Sequence, residues 1–314
     1  MLTRRSVAII GTGQVGMAAA YAIFQQRAVS EILLLDVDGR RAEGEAMDLI
    51  QGQAYVGRCQ VRAGDYPDLV GAQVVILTAG VGQKPGETRL DLLRRNRAIF
   101  QDIVAKLDRY APDAILLIAT NPVDILTYVT QDLSQRPTER VIGTGTMLDT
   151  TRFRTLLGDY YNVDPRSVHA VILGEHGDSE VPIWSTADIA GTPIHNNTVL
   201  GKPFDPQAMD SLFQRVRRAA YEIIDRKGYT NWAIGLVLAH LVRTVLSDQN
   251  SILPVCVRLD GEYGIDDVCL SIPACVGISG LGERMLPPIA EDEFQALRRS
   301  ADILQESLRG LKGE

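Results

Sequence analysis

The chain has no run of 18 uninterrupted apolar residues, no cysteines at metal-ligand spacing and no excess of positive charge. Each lack removes a class of function. Without a long apolar run, no transmembrane helix and no membrane role are expected. The four cysteines, Cys59, Cys256, Cys269 and Cys275, form no C-x-x-C pair. Neither a zinc site nor a disulfide framework is indicated, no metal is expected, and a reducing cytoplasm is the natural compartment. Cys269 and Cys275 stand in an apolar run and read as small core residues. A formal net charge of −7 leaves no electrostatic footprint for nucleic acid. The cluster Arg94, Arg95 and Arg97 reads as a solvated helix face. Internal repeats, low-complexity tracts and flexible linkers are absent as well. One segment points elsewhere: Thr3-Arg4-Arg5-Ser6 before an apolar stretch has the form of an export signal. That stretch is broken by Gly11, Gly13 and Gly16, and export stays open as the alternative.

What is present is a chain of 314 residues, 46% apolar and 23% charged, long enough for two domains and a substantial core. In the first half, short apolar runs alternate with helical patterns, which predicts a parallel sheet covered by helices. Strands are expected at Val7–Ile10, Ile32–Leu35, Val74–Thr78, Ile115–Ala119 and Val141–Gly143. These runs do not alternate with polar residues, as befits strands buried on both faces. A helix is expected at Gln14–Gln26, and another carries Leu92, Asn96, Ile99, Ile103 and Leu107 at helical spacing. After about residue 145 the rhythm changes to longer helices, at Asp205–Lys227 and Asn231–Asp248, and to strands at Pro254–Gly261 and Val268–Ile272. A final helix bears the stripe Phe294, Leu297, Ala301, Leu304 and Leu308. The expected fold is α/β: a Rossmann domain over residues 1–145, with a doubly wound parallel sheet, and an α+β catalytic domain over 146–314.

Gly11-Thr12-Gly13-Gln14-Val15-Gly16 is a G-x-G-x-x-G turn that follows a predicted strand and opens a helix. Gly11 permits the tight turn and Gly13 lets backbone approach a pyrophosphate. Gly16 lets helix and strand pack closely, and the helix N-terminus offers free N–H donors. Asp36 follows 20 residues after Gly16, at the end of the next strand, where a carboxylate can bind both ribose hydroxyls. It would repel a 2′-phosphate, so NAD is expected rather than NADP.

Four further segments carry chemistry when taken together. His176 lies in Leu173-Gly174-Glu175-His176-Gly177-Asp178, just past an apolar strand-like run. Asp149 and Arg152 lie three apart in Leu148-Asp149-Thr150-Thr151-Arg152-Phe153-Arg154, so on a helix both project from one face. An intrahelical ion pair is the plain alternative there. Asn121, in Ala119-Thr120-Asn121-Pro122-Val123-Asp124, sits at the end of a buried strand, where ligands of open sheets bind. The glycine-rich segment from Ala79 to Arg89 reads as a mobile lid.

Together these segments resemble the lactate and malate dehydrogenase family nearly end to end, and the loop from Gln83 to Arg89 looks like that of its lactate branch. The resemblance implies His176 as proton donor to the carbonyl oxygen of pyruvate and as base toward lactate. Asp149 would hold its other ring nitrogen. It implies Arg152 on the substrate carboxylate, Arg89 polarising the carbonyl, and Asn121 and Thr230 in the substrate pocket. Val15, Gly80, Val81 and Ala119 match cofactor-contact positions, Arg41 and Tyr66 more loosely. Malate-type members carry arginine where Gln83 stands; a neutral glutamine would leave a second substrate carboxylate unpaired. Pyruvate is therefore favoured, with oxaloacetate and longer 2-oxo acids as alternatives. Arg154 and His169 match positions at which bacterial members of the lactate branch bind fructose 1,6-bisphosphate across a subunit interface, and a homotetramer is the family's usual assembly. An NAD-binding sensor without catalysis would need the glycine turn and Asp36 but not His176, Asp149, Arg152 and Arg89 together.

Overall fold

The computed structural model describes residues 5–82 and 86–313. Gln83 and part of the arginine pair near the N-terminus lie outside the described residues, and so does the side chain of Arg89. The first half builds β1 (Ser6–Ile10), α1 (Gln14–Gln26), β2 (Glu31–Leu35), α2 (Gly39–Gln51), α3 (Gln53–Val56), β3 (Gln60–Ala63) and β4 (Val74–Leu77). It continues with α4 (Arg89–Tyr110), β5 (Ile115–Ile118), α5 (Val123–Leu133) and β6 (Val141–Gly143). The second half builds α6 (Met147–Tyr161), β7 (Val168–Leu173), β8 (Val181–Ile189), the short strands β9 (Thr192–Pro193), β10 (Thr198–Val199) and β11 (Lys202–Pro203), then α7 (Pro206–Lys227). It ends with α8 (Trp232–Leu246), β12 (Ser251–Asp260), β13 (Asp266–Gly277), β14 (Gly280–Arg284) and α9 (Glu291–Lys312).

Strands β6, β5, β4, β1, β2 and β3 lie side by side in that order, all parallel. The order reverses between β4 and β1, which opens a crevice beyond the strands' carboxyl ends. Strands β1, β2, β4, β5 and β6 are buried throughout, which explains their unbroken Val/Ile/Leu runs. The sheet does not stop where the first half does. β12, β13 and β14 add three antiparallel strands to the same sheet, joined through Cys256 of β12 opposite Gly143 of β6. Gly143 is required there, because a Cβ would stand 2.3 Å from Thr127 Oγ1 and 2.8 Å from Cys256 Cβ. The strands expected at 254–261 and 268–272 thus belong to the central sheet, while β7, β8 and β9 form a separate small sheet.

Helix α8 crosses back onto α1 of the first half. Small residues set the distance: a Cβ on Gly235 would lie 2.7 Å from the backbone of Ala18. With one apolar core running through both halves, the glycine turn and the second half are held in fixed register. Among the described residues no helix is long and apolar enough to cross a membrane.

Candidate active site

The nucleotide turn follows from what each glycine has around it. Gly11 has φ of +103°, and a Cβ there would lie 2.7 Å from Ala79 N. A Cβ on Gly16 would fall 1.9 Å from Gly11 O. These two glycines are thus demanded by the fold itself. Gly13 is different: a Cβ there would meet nothing within 4 Å, so the space before it is open to a ligand. The positive end of α1 faces that space, with the first-turn N–H groups unsatisfied by any side chain.

Asp36 closes the turn. Its Oδ2 accepts from Thr12 N at 2.6 Å and from Thr12 Oγ1 at 2.9 Å, and its Oδ1 accepts from Asp38 N at 3.0 Å. Partial burial opposes ionisation, but these bonds and nearby Arg41 outweigh it and hold the carboxyl below its usual range. An ionised carboxylate beside an open glycine turn fits a dinucleotide with free ribose hydroxyls. Ala119 and Thr120 follow β5 next to the same crevice, with Thr120 Oγ1 donating to Ala79 O at 2.8 Å. Val81 N and O are both held by Asn96 of α4, at 3.0 and 3.3 Å. Asn96 was legible only as the one polar residue on an apolar helix face; its task is to fasten the segment after β4. Gly80 and Val81 are exposed at the crevice. Arg41 is exposed on α2 and pairs with Glu45 at 3.9 Å. Tyr66 is half-buried under Lys106, 4.7 Å from its ring centre, and burial pushes its hydroxyl up to about 12.

The second cluster assembles from distant segments. Both backbone polar groups of Ile172, in β7, are taken by hydroxyls at the start of α6: Thr146 Oγ1, from the residue capping the helix, donates to its carbonyl at 2.5 Å, and Thr150 Oγ1 accepts from its N–H at 3.0 Å. That docks the first turn of α6 against the end of β7, where the His176 loop begins. His176 Nδ1 consequently meets Asp149 Oδ2 at 2.5 Å, and Arg152 NH1 donates to Asp149 Oδ1 at 2.8 Å. Asp149 is only 2% exposed, a cost that two cationic partners and the helix N-terminus offset. Burial raises its pKa, but His176 and Arg152 prevail and keep it low. Burial likewise works against charge on His176. Asp149 and then Asp124 overcome it, lifting the ring to about 9. The imidazole is therefore protonated at neutral pH, with Nδ1 committed to Asp149 and Nε2 without a hydrogen-bond partner among the described residues. Of the Arg152 guanidinium, only NH1 has a partner among the described residues. The ion pair expected as the plain alternative exists, and it leaves the rest of the fork available.

The loop bearing His176 is braced from two further sides. Asp124 of α5 accepts from His176 N at 2.8 Å, and Ser300 of α9 accepts from Glu175 N at 2.8 Å. Asp124 closes the Asn121-Pro122-Val123-Asp124 segment but had no role of its own in the sequence, and nothing local marks Ser300. Asn121 is exposed at the N-terminal side of α5, its Oδ1 accepting from Val123 N at 3.3 Å. Thr230 is half-buried between α7 and α8. Arg154 donates Nε to Ala170 O at 2.8 Å, which puts it beside exposed His169 on β7. Among the described residues it has no carboxylate partner. Burial lowers its pKa.

The chain matches the lactate/malate dehydrogenase NAD binding domain over residues 5–143 and the lactate/malate dehydrogenase alpha/beta C-terminal domain over 146–313. It is 60% identical over 308 residues to the L-lactate dehydrogenase of Salinibacter ruber, covering 98% of each chain. It is 46% identical to that of Gloeobacter violaceus, covering 97% of this chain and 93% of the other. Among solved structures, the minor L-lactate dehydrogenase from Enterococcus mundtii superposes with a TM-score of 0.95 at 43% identity, covering 98% of each chain. A lactate dehydrogenase from a Medee basin deep-sea metagenome superposes with a TM-score of 0.96 at 41% identity, covering 99% of this chain and all of the other.

Proposed function

The chain belongs to the lactate/malate dehydrogenase family, and from that premise we propose that it is an NAD-dependent enzyme reducing pyruvate to L-lactate and running the reverse reaction. The observation that carries this reading is the convergence on Asp149 of His176 at 2.5 Å and Arg152 at 2.8 Å. A mere NAD-binding protein would have no use for that buried charge cluster.

Gly11, Gly13, Val15, Gly16, Asp36, Gly80, Val81, Ala119 and Asn121 would hold the dinucleotide, with Arg41 and Tyr66 at its margin. Bound NADH supplies a hydride to the carbonyl carbon of the 2-oxo acid. The residues of the chain do the rest. Arg152 takes the substrate carboxylate on the part of its fork that Asp149 leaves free. Protonated His176 gives the proton on Nε2 to the carbonyl oxygen as negative charge develops there. Asp149 keeps Nδ1 protonated and shares the changing charge of the ring. In the reverse direction the neutral ring takes the hydroxyl proton. Arg89, Asn121 and Thr230 would complete the pocket, and a neutral Gln83 would suit a methyl group rather than a second carboxylate. The functional division is residues 1–145 for the cofactor and 146–314 for the proton-transfer chemistry.

A homotetramer and a cytoplasmic location belong to the same reading. In support of assembly, exposed Tyr21, Tyr55 and Trp232 line an apolar groove on α1, α3 and α8, with Met47 and Leu236 exposed nearby. Arg154, a cation without a carboxylate partner among the described residues and bonded to Ala170 O next to His169, supports an anion site for fructose 1,6-bisphosphate. The test is NADH oxidation with pyruvate and with oxaloacetate, each with and without the bisphosphate. Pyruvate preference is expected, together with a bisphosphate-dependent rise that Arg154→Gln abolishes. Oxaloacetate preference would overturn the assignment of Gln83 while leaving His176 in place.

A further inference from the structure

Asp124 is 2% exposed in the first turn of α5, yet one of its oxygens, Oδ1, has no hydrogen-bond partner. A buried carboxylate with an orphan oxygen weakens a fold relative to a neutral group of the same shape. Burial pushes its pKa up to about 6, despite the nearby Cys256 thiol and the bond from the His176 backbone. Packing thus gives no reason for a charge here. Its Oδ2 supplies one: it accepts from His176 N at 2.8 Å, reaching from the cofactor half to the residue on which proton transfer turns. Asn121, three residues earlier, stands on the same turn.

We infer that Asp124 is a positioning residue: through the His176 backbone it fixes the height of the imidazole over the cofactor crevice, and its charge favours the protonated ring. This rests on the assignment of His176 as proton donor. The groups facing Asp124 are His176 and Glu175 from the loop and Cys256 from β12, with the free thiol of Cys269 behind Cys256. Those facing His176 are Asp149, Asp124 and Arg152, with Glu180 of the same loop close by. Among the carboxylates bonded to the His176 residue, Asp149 binds the ring and Asp124 the backbone. The two therefore act on different degrees of freedom: Asp149 sets rotation and tautomer, Asp124 sets where the ring is.

The experiment compares Asp124→Asn, which keeps an acceptor but loses the charge, with Asp124→Ala, which loses both. The readouts are kcat and KM for pyruvate, the pH dependence of kcat/KM, NADH affinity by fluorescence titration and melting temperature, with His176→Asn in parallel. Asp124→Ala is expected to lower kcat about tenfold or more with NADH affinity unchanged. Asp124→Asn should recover much of kcat while its alkaline limb moves to lower pH by about half a unit or more, because a negative neighbour of the ring is gone. An unmoved limb in Asp124→Asn overturns the inference, whatever Asp124→Ala does. A fall in kcat that merely follows melting temperature, with the limb in place, overturns it too. If Asp124→Ala does not fold, the Asn variant decides alone. Activity surviving in His176→Asn would instead sink the underlying assignment of the proton donor.

Discussion

The cofactor turn and the proton-transfer cluster sit at one crevice but are built on opposite principles. The turn is mostly local and steric: Gly11 to Gly16 and Asp36 lie within one strand–helix–strand unit, Gly16 is fixed by Gly11 O at 1.9 Å, and Gly11 leans on another segment, Ala79 N at 2.7 Å. The cluster is non-local and electrostatic. His176, Asp149, Arg152, Asp124 and Ser300 come from the β7–β8 loop, α6, α5 and α9, and they are bound by charges largely removed from water. A steric site tolerates changes of pH and salt but not of volume. An electrostatic one tolerates volume changes at its edge but not changes of charge.

The sharpest way to break that contrast is His176→Asn. It should lower kcat for pyruvate by about 10²–10⁴-fold while NADH titrations stay unchanged; a parallel loss of NADH affinity would mean the two regions are not separable. Asp149→Asn comes next, with kcat down by about 10²-fold. In the parent enzyme, pyruvate reduction should fall as pH rises through about 9, the value at which His176 loses its proton. In Asp149→Asn that limb should move several tenths of a unit or more toward acid, since burial then acts on the ring with less opposition. The same pair contributes to folding: the ring's pKa is raised from 6.5, so its stabilisation is complete below about pH 6.5 and lost as pH climbs through 9. Asp36 should show no such limb in cofactor affinity above pH 5, its carboxyl being held low.

On the steric side, Gly16→Ala should destabilise the fold by about 1–3 kcal/mol, read as a lower melting temperature. Gly13→Ala should leave melting unchanged and weaken NADH binding, because its Cβ would project into open space. Equal melting losses in both would show that the open space is not a ligand surface. The smallest effect expected is with Asp36→Ser, which should shift the NADPH-to-NADH preference by about tenfold, measured as the ratio of kcat/KM for the two cofactors.

The same contrast explains what could be read in the sequence. Helix Gln14–Gln26 and strand Val141–Gly143 were legible to the residue, because glycines and buried apolar runs mark their ends. Strand β3 was not, since Gln60–Ala63 is short and partly exposed, without an apolar run. Strands β12 and β13 were legible as strands and β14 was not, and none of the three was legible as part of the central sheet, because its joint, Gly143 opposite Cys256, has no sequence signature. His176, Asp149, Arg152 and Asp36 stood out by motif. Asp124 lay inside a motif without a legible role and Ser300 lay in none, because their partners lie 52 and 125 residues away. Local chemistry announces itself in a motif, and the supports that aim it come from elsewhere in the chain.

Helix α9 does more than cap the second half. Ser300 holds the loop next to His176, and Glu293 satisfies the backbone of Trp184 and Ser185 on β8 at 2.7 and 2.9 Å. A ribosome makes the chain from the other end. The glycine turn and Asp36 emerge well before the histidine loop, and that loop lacks its supports from α9 until that helix has left the tunnel. Vectorial synthesis therefore separates the two capacities in time: the means to hold a dinucleotide precedes the means to move a proton.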